Sequence, residues 1–265
     1  MSEESPLETL EETTPIVDES LVLKKISPAK WECLTDVLNF LTKDSDDAVV
    51  INDSVITHAL KTGAILKVDL SEIFDNEKIS LHISNPKKWN RLFKTFNKNQ
   101  NIYITEGENQ FIVTDGQTQL FLPKQVISVL NMLEIPDLSK TKKIVEVVFQ
   151  KESRDQIMNI SKNINYIEFL IKDNYFKVIN IPNTGTYILP EFLHDDDIKD
   201  INPNTADLIL RSSTFLPYDS DIYNVIICYD ELHDKYFMYS SCKTQLTTME
   251  LYEVLDNATG LSSLF

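Results

Sequence analysis

From Leu21 onward, the chain repeats one order of predicted elements twice. Alternating apolar residues between turn signals predict strands, and apolar residues spaced three and four apart predict helices. In the first half, the predicted strands cover 21–26, 48–52, 55–60, 64–70, 79–84, 101–105, 110–114 and 118–122, with helices over 27–42 and 86–98. The first of these helices has an apolar stripe of Trp31, Leu34, Leu38 and Leu41. A chain that pairs many short strands with so few helices predicts an α+β fold with antiparallel sheets.

The second half follows the same order with a different sequence. Its predicted strands cover 143–149, 166–171, 176–181, 187–189, 222–229, 235–240 and 248–255, with helices over 151–164 and 202–213. We infer the last helix from Asn202-Pro203, a frequent helix start. The repeat predicts two tandem domains at 21–122 and 143–265, joined by a connector at 123–142.

The predicted helix at 86–98 is strongly basic and amphipathic, and Asn85-Pro86 supplies its N-cap and first residue. Trp89, Leu92, Phe93 and Phe96 follow the spacing of one helical face, which we expect to pack on the core. The opposite face carries the cations Lys87, Arg91, Lys94 and Lys98, with Lys88 at its flank. This face indicates a polyanion-binding surface, since a solubilising surface helix would not need to be so free of carboxylates.

That basic face is unusual because the chain is acidic, with 41 Asp and Glu against 25 Lys and Arg and a net charge of −16. Residues 1–20 hold seven acids and no base, which predicts a disordered acidic tail. Three cysteines and an acidic N-terminus predict a protein of a reducing compartment without a signal peptide. No apolar run reaches the length of a membrane span, so we expect a soluble, intracellular protein.

The order of elements resembles that of DNA sliding clamps, specifically the two-domain clamps of tailed phages, which are similar in shape to proliferating cell nuclear antigen. The most specific stretch runs from 64–70, through Ser-Glu-Ile-Phe-Asp, the strand 79–84 and the basic helix, to Thr-Gln-Leu-Phe-Leu-Pro at 118–123. The resemblance implies two tandem clamp domains, each with antiparallel sheets and two helices on the inner face. It also implies a homotrimeric ring around duplex DNA that tethers a polymerase and is opened by a clamp loader, in the host cytoplasm if a phage encodes it.

The resemblance implies three sets of functional residues. The DNA-binding cations of the inner wall are Lys30, Lys87, Lys88, Arg91, Lys94, Lys98, Lys151, Arg154, Lys162 and Arg211. The subunit interface pairs Thr118, Gln119, Leu120, Phe121 and Leu122 with Thr186, Tyr187, Ile188 and Leu189 of a neighbour. The client pocket beside the connector contains Val126, Ile127, Leu130, Leu133 and Ile135, and the Leu/Phe-containing end at 261–265 is a candidate to occupy it.

An enzyme is not expected from these residues. The four histidines are scattered, the cysteines have no metal-ligand spacing, and five glycines offer no phosphate-binding loop, so we expect no catalytic residues, metal or cofactor. We interpret 193–201 as a solvated acidic loop and Cys228 and Cys242 as core thiols. The alternative function is a monomeric nucleic-acid- or polymerase-binding accessory protein that does not encircle DNA.

Overall fold

The computed structural model describes residues 22–44, 47–124, 135–160, 166–172, 175–180, 187–188, 198–202 and 208–258. The predicted acidic tail, residues 125–134 of the connector and the chain end at 259–265 lie outside these ranges. Among the described residues, three helices accompany seventeen mostly short strands, and every pairing between strands is antiparallel. The predicted α+β class with antiparallel sheets is therefore confirmed.

The first half contains two copies of a strand–helix–three-strand unit. In chain order its elements are β1 (Val22–Ile26), α1 (Pro28–Asp44), β2 (Val49–Asn52), β3 (Val55–Ala59), β4 (Ile65–Asp69), β5 (Leu81–Ile83), α2 (Pro86–Phe93), β6 (Ile102–Glu106), β7 (Gln110–Thr114) and β8 (Gln119–Pro123). The units exchange their first strands, giving one sheet of order β1-β6-β7-β8 and one of order β5-β2-β3-β4. This exchange ties both units into one body, and all the strands predicted for this half are confirmed.

The second half repeats the exchange with one helix fewer among its described residues. Its elements are β9 (Lys142–Gln150), α3 (Lys151–Ile160), β10 (Ile167–Lys172), β11 (Tyr175–Asn180), β12 (Tyr187–Ile188), β13 (Ile198–Ile201), β14 (Leu208–Ser212), β15 (Ile222–Asp230), β16 (Lys235–Lys243) and β17 (Thr248–Asn257). β9 joins β15-β16-β17, and β14 joins β10-β11-β12. The added strand β13 pairs with β9, and a short 3-10 turn at Leu138–Lys140 precedes β9.

One strand joins the two halves. Residues 248–252 of β17 pair with β4 of the first half, and its last two residues, Asp256 and Asn257, pair with β14. The result is a continuous thirteen-stranded sheet that carries strands from both halves. The two halves therefore share one hydrogen-bonded framework, while the domain boundaries at 21–122, 123–142 and 143–265 stay a prediction.

The helix predicted at 202–213 is wrong over residues 208–213, whereas residues 203–207 lie outside the described ranges. Residues 208–212 instead form β14, which pairs with β10 from Ile171↔Leu208 to Ile167↔Ser212. Four of its five residues are buried because β10 and β17 flank it within the sheet. A strand buried on both faces appears as a continuous apolar run, which periodicity does not separate from a buried helix. Residues 213–221, between β14 and β15, form a loop without a helix.

The helices lie against the sheets through the predicted apolar positions. Trp31, Leu34, Leu38 and Leu41 of α1 are all buried, which confirms the predicted stripe. Ile157 of α3 is also buried. One core cluster contains residues from both halves, so the core is continuous beneath the shared sheet.

The loop at 213–221 is anchored by a buried carboxylate. Glu253 is 3% exposed, and its Oε1 accepts hydrogen bonds from the Ser213 amide (2.6 Å), the Ser213 hydroxyl (2.8 Å) and the Thr214 amide (3.0 Å). Its Oε2 accepts a hydrogen bond from the Ser212 hydroxyl at 2.6 Å. The Thr214 hydroxyl also donates to the Thr62 hydroxyl of the first half. Glu253 thus fixes the chain at the place where β14 ends.

We expect Glu253→Leu to lower the free energy of unfolding by about 3 kcal/mol, because it leaves buried donors without an acceptor. Glu253→Gln is the matched control. Its side-chain carbonyl oxygen is able to accept the three hydrogen bonds that Oε1 accepts, and the Ser212 hydroxyl is able to rotate and accept a hydrogen bond from the side-chain NH2 group. Burial raises the pKa of Glu253, although its hydrogen bonds act in the opposite direction. Because the folded protein holds this proton more tightly than the unfolded chain, the resulting contribution to stability is lost as pH rises through the pKa of the folded state. Urea unfolding at several pH values measures both effects. An equal decrease in the free energy of unfolding in the two variants would contradict the assigned hydrogen bonds.

Candidate nucleic-acid interface

The helix α2 begins and ends at identifiable signals. The Asn85 side-chain oxygen accepts a hydrogen bond from the Lys88 amide at 3.0 Å, and Pro86 occupies the first turn. The helix ends at Phe93, with Lys94 as its C-cap, so it is shorter than the predicted 86–98. The predicted cap is confirmed, and Lys98 lies in the turn that follows the helix rather than on the helix itself.

The apolar face of α2 packs on α1. Phe93 and Phe96 are buried, and the Trp31 ring of α1 meets Phe93 edge-on with the ring centroids 4.9 Å apart. The buried Asn90 donates to the Asn39 side chain of α1 at 3.2 Å. These contacts hold the orientation of α2 and therefore direct its opposite face toward solvent.

The five cations predicted for that opposite face are all exposed: Lys87, Lys88, Arg91, Lys94 and Lys98. Among the described residues, no ion pair involves Lys88, Arg91, Lys94 or Lys98. We call these five residues the α2 cationic face. Because Lys88, Arg91, Lys94 and Lys98 are not paired with carboxylates in the described part of the chain, this face attracts a polyanion.

The turn after α2 is fixed by Asp115 of the β7–β8 turn. Its Oδ2 accepts a hydrogen bond from the Asn97 amide at 2.8 Å, and its Oδ1 accepts bonds from the Gln117 and Thr118 amides. Burial opposes ionisation of Asp115, but these backbone bonds outweigh it and lower the pKa of the carboxyl. Asp115 therefore stays charged and holds the segment that carries Lys98.

The other candidate cations make ion pairs within the chain. Lys30 pairs with Asp75, and Lys151 pairs with Asp219 and, at 3.7 Å, with Asp155. The Arg154 guanidinium pairs with Asp155 at 2.7 Å and also donates to the Leu216 carbonyl oxygen at 2.8 and 3.1 Å. Their charge is largely used to hold α1, α3 and the loop at 213–221 in place.

The structure also changes the interpretation of Arg211, which was predicted to lie on a helix facing DNA. It lies on strand β14, pairs with the fully buried Glu168 and stacks over the Tyr166 ring with 4.7 Å between guanidinium carbon and ring centroid. A buried carboxylate needs such a partner, which explains the arginine. Lys162 lies outside the described residues.

A cleft with a volume of about 550 Å³ separates α1 from the end of α2. The exposed carboxylates Glu32 and Asp36 of α1 line one side, and Lys94 and Lys98 line the other. The sequence indicated that α1 carries acids, but not that they face the α2 cationic face across a cleft. The cationic surface therefore has an acidic border.

Both strands predicted for the subunit interface lie at sheet edges. β8 pairs with β7 alone, and β12 pairs with β11 alone among the described strands. On β8, Phe121 is 49% exposed, whereas Leu122 is buried. Thr186 and Leu189 lie outside the described residues, as do Val126, Ile127, Leu130 and Leu133 of the predicted client pocket. Ile135, the remaining pocket residue, is partly exposed.

Among the described residues, none of the helices combines the length and apolar character that crossing a bilayer requires. No protein-family model and no curated protein matches the sequence.

Solved structures do match the fold. Proliferating cell nuclear antigen (PCNA) from Entamoeba histolytica aligns with a TM-score of 0.61 at 12% identity, covering 88% of this chain and 98% of that one. PCNA from Thermococcus kodakaraensis aligns with a TM-score of 0.60 at 14% identity, covering 88% of this chain and 99% of that one. A. fulgidus PCNA, solved with the C-terminal region of FEN-1 bound, aligns with a TM-score of 0.58 at 11% identity. This alignment covers 88% of this chain and 97% of that one. The chain therefore has a PCNA-like DNA sliding-clamp fold.

Proposed function

We propose that three copies of this chain form a ring around duplex DNA and act as a polymerase sliding clamp. The observation that carries the proposal is the α2 cationic face, held outward on a clamp fold whose net charge is otherwise strongly negative. A negative exterior repels DNA, and a cationic inner wall holds it through salt-sensitive phosphate contacts. A closed ring needs only weak contacts, because topology retains it on DNA while it slides.

The two open sheet edges support assembly from identical subunits. Exposed edges invite pairing with other strands, and a head-to-tail ring removes them by joining β8 of one subunit to β12 of the next. Such a ring is a heterologous assembly that closes on itself. Three two-domain chains supply six domains around the duplex.

The proposed partners are duplex DNA, a DNA polymerase and a clamp loader. The A. fulgidus PCNA structure contains a peptide region of FEN-1, so we propose that clients of this chain also dock through short segments. The candidate pocket is the predicted one beside the connector, which includes Ile135. In this role the chain is a non-enzymatic scaffold that works inside the cell beside the replication machinery.

The test compares circular DNA, from which a threaded ring cannot slide off, with linear DNA, from which it can. The protein is incubated with nicked circular duplex and passed through gel filtration in about 0.5 M salt, where phosphate contacts are screened and only a threaded ring is retained. We expect co-elution with circles and release when the DNA is cut once. Native mass measurement is expected to give three times the mass of one chain. A single-chain mass with equal retention on both DNA forms would instead support the monomeric accessory protein.

The acidic border of α1 leads to a further prediction. A carboxylate about 8 Å from a phosphate costs about 0.5 kcal/mol in water, so neutralising two of them is expected to tighten duplex binding about fivefold at low salt. The variant is Glu32→Gln with Asp36→Gln, measured by fluorescence anisotropy of a labelled duplex. The matched control is Glu108→Gln with Glu231→Gln, which removes the same charge from two exposed turns. Equal tightening in both variants would show that only net charge matters.

A further inference from the structure

The cleft between α1 and the end of α2 has the composition of a binding site. Its volume of about 550 Å³ lies within the range of small-ligand sites. Its base includes three aromatic residues, Trp31, Phe93 and Phe96, whose rings contact one another with centroids 4.9 to 6.4 Å apart. These residues are largely buried, so only a small part of each faces the cleft, and that part gives the cleft an apolar floor suited to a partly apolar group.

Two buried polar atoms of the lining residues have no hydrogen-bond partner among the described residues. One is the indole Nε1 of Trp31, a donor, and the other is the Oε1 of Gln100, an acceptor. Buried polar atoms in proteins are nearly always satisfied, so a pair of unsatisfied atoms beside one cleft requires an explanation. These two atoms place polar groups beside the apolar base of the cleft, which suits a ligand with hydrogen-bonding groups better than a hydrocarbon.

The rim of the cleft carries charges of both signs. Lys94 and Lys98 lie on the side of α2, where they are suited to a phosphate. Glu32 and Asp36 lie on the side of α1, where their oxygens are suited to amino groups. One molecule that carries an anionic group at one end and amino groups at the other would complement both sides.

We propose that this cleft binds one unpaired nucleotide of DNA. The base lies over the aromatic residues, its phosphate contacts Lys94 and Lys98, and its exocyclic amino group donates to Glu32 or Asp36. Cytosine, adenine and guanine carry such an amino group and thymine does not, so the site prefers them to thymine. The site shares Lys94 and Lys98 with the α2 cationic face, but it does not require the ring.

The chain has two tryptophans, so Trp89→Phe leaves Trp31 as the only indole fluorophore and a direct reporter of the cleft. This variant is titrated with dCMP, dTMP and a five-nucleotide single strand. We expect a saturable change in emission, with dCMP at least threefold tighter than dTMP. Calorimetry on the unsubstituted chain repeats the measurement, so the test does not depend on the folding of the Phe variant.

Two variants test the assignment of residues. Lys94→Gln with Lys98→Gln is expected to weaken dCMP binding at least tenfold, whereas Lys25→Gln with Lys235→Gln, two exposed lysines on other elements, leaves it unchanged. Ala29→Phe fills the cleft and is expected to abolish dCMP binding while duplex binding persists. No saturable signal at millimolar dCMP, equal affinity for dTMP, or equal effects of the two lysine pairs would each overturn the proposal. Retained duplex binding in Ala29→Phe keeps this outcome separate from failure of the clamp function.

Discussion

Gln119→Pro is expected to convert the ring into single folded chains. The substitution removes one backbone donor from the outer edge of β8, the strand that we propose pairs with β12 of a neighbour. Proline has no N–H, and its ring obstructs the approach of a second strand. Because each of the three proposed interfaces contains the same edge, one substitution affects all of them.

The register of β8 explains the choice of Gln119. The Asp115 amide donates to the Thr118 carbonyl at 3.3 Å, and the Lys124 amide donates to the Asn109 carbonyl at 2.9 Å. Since bonded and non-bonded pairs alternate along an antiparallel ladder, Thr118, Leu120 and Leu122 bond to β7. Gln119 and Phe121 then direct their amides away from β7, toward the proposed neighbour.

Native mass spectrometry and circular dichroism measure the two expected outcomes, loss of the trimer and retention of the strand signal. Gln119→Ala is the matched control, because it shortens the side chain and keeps the amide, and it is expected to stay trimeric. Leu120→Pro is expected to unfold the edge of the sheet, since its amide bonds to Val113 of β7. An intact trimer with proline at 119 would show that β8 does not form the interface, and Ile188→Pro tests the opposite strand in the same way.

The elements that were predicted from sequence are those whose signal is local. The strands of the first half, the stripe of α1 and the N-cap at Asn85 all depend on spacing or on residues within one turn. The end of α2 was missed because the next turn is fixed by Asp115, which is distant in sequence from Asn97. Strand β14 was missed because its burial comes from β10 and β17 and not from its own pattern.

The site was predicted in the same uneven way. The exposure of Lys87, Lys88, Arg91 and Lys94 follows from helical spacing, whereas Lys98 lies in the turn after the helix, in the segment that Asp115 holds. Arg154 and Arg211 carry the same charge, but their carbonyl and carboxylate partners lie 62 and 43 residues away. Long-range pairing of this kind leaves no trace in local sequence, so a count of cations overestimates the surface that is available to DNA.

Reversing three charges of the α2 cationic face is expected to remove most of the affinity for duplex DNA. The variant combines Lys87→Glu, Lys88→Glu and Arg91→Glu, all exposed and all outside the cleft between α1 and α2. A protein that loses several phosphate contacts loses the counterion release that drives binding, so at low salt we expect affinity to fall about 100-fold or more. The slope of log affinity against log salt should become less steep by about 2 to 3 for each subunit in contact with DNA.

The fold should tolerate this change, because all three side chains are exposed, and Lys87 and Lys88 lie in the first turn of α2, where acidic side chains interact favourably with the helix dipole. A charge-matched control reverses the exposed lysines Lys25, Lys140 and Lys235, which lie on other elements. Both triple variants shift the net charge from −16 by six units to −22, so a difference between them reflects position and not total charge. Anisotropy titrations over a range of salt concentrations give the slope, and native mass gives the oligomeric state. If both variants lose affinity equally, net charge alone controls binding, and the α2 cationic face is not where the duplex lies.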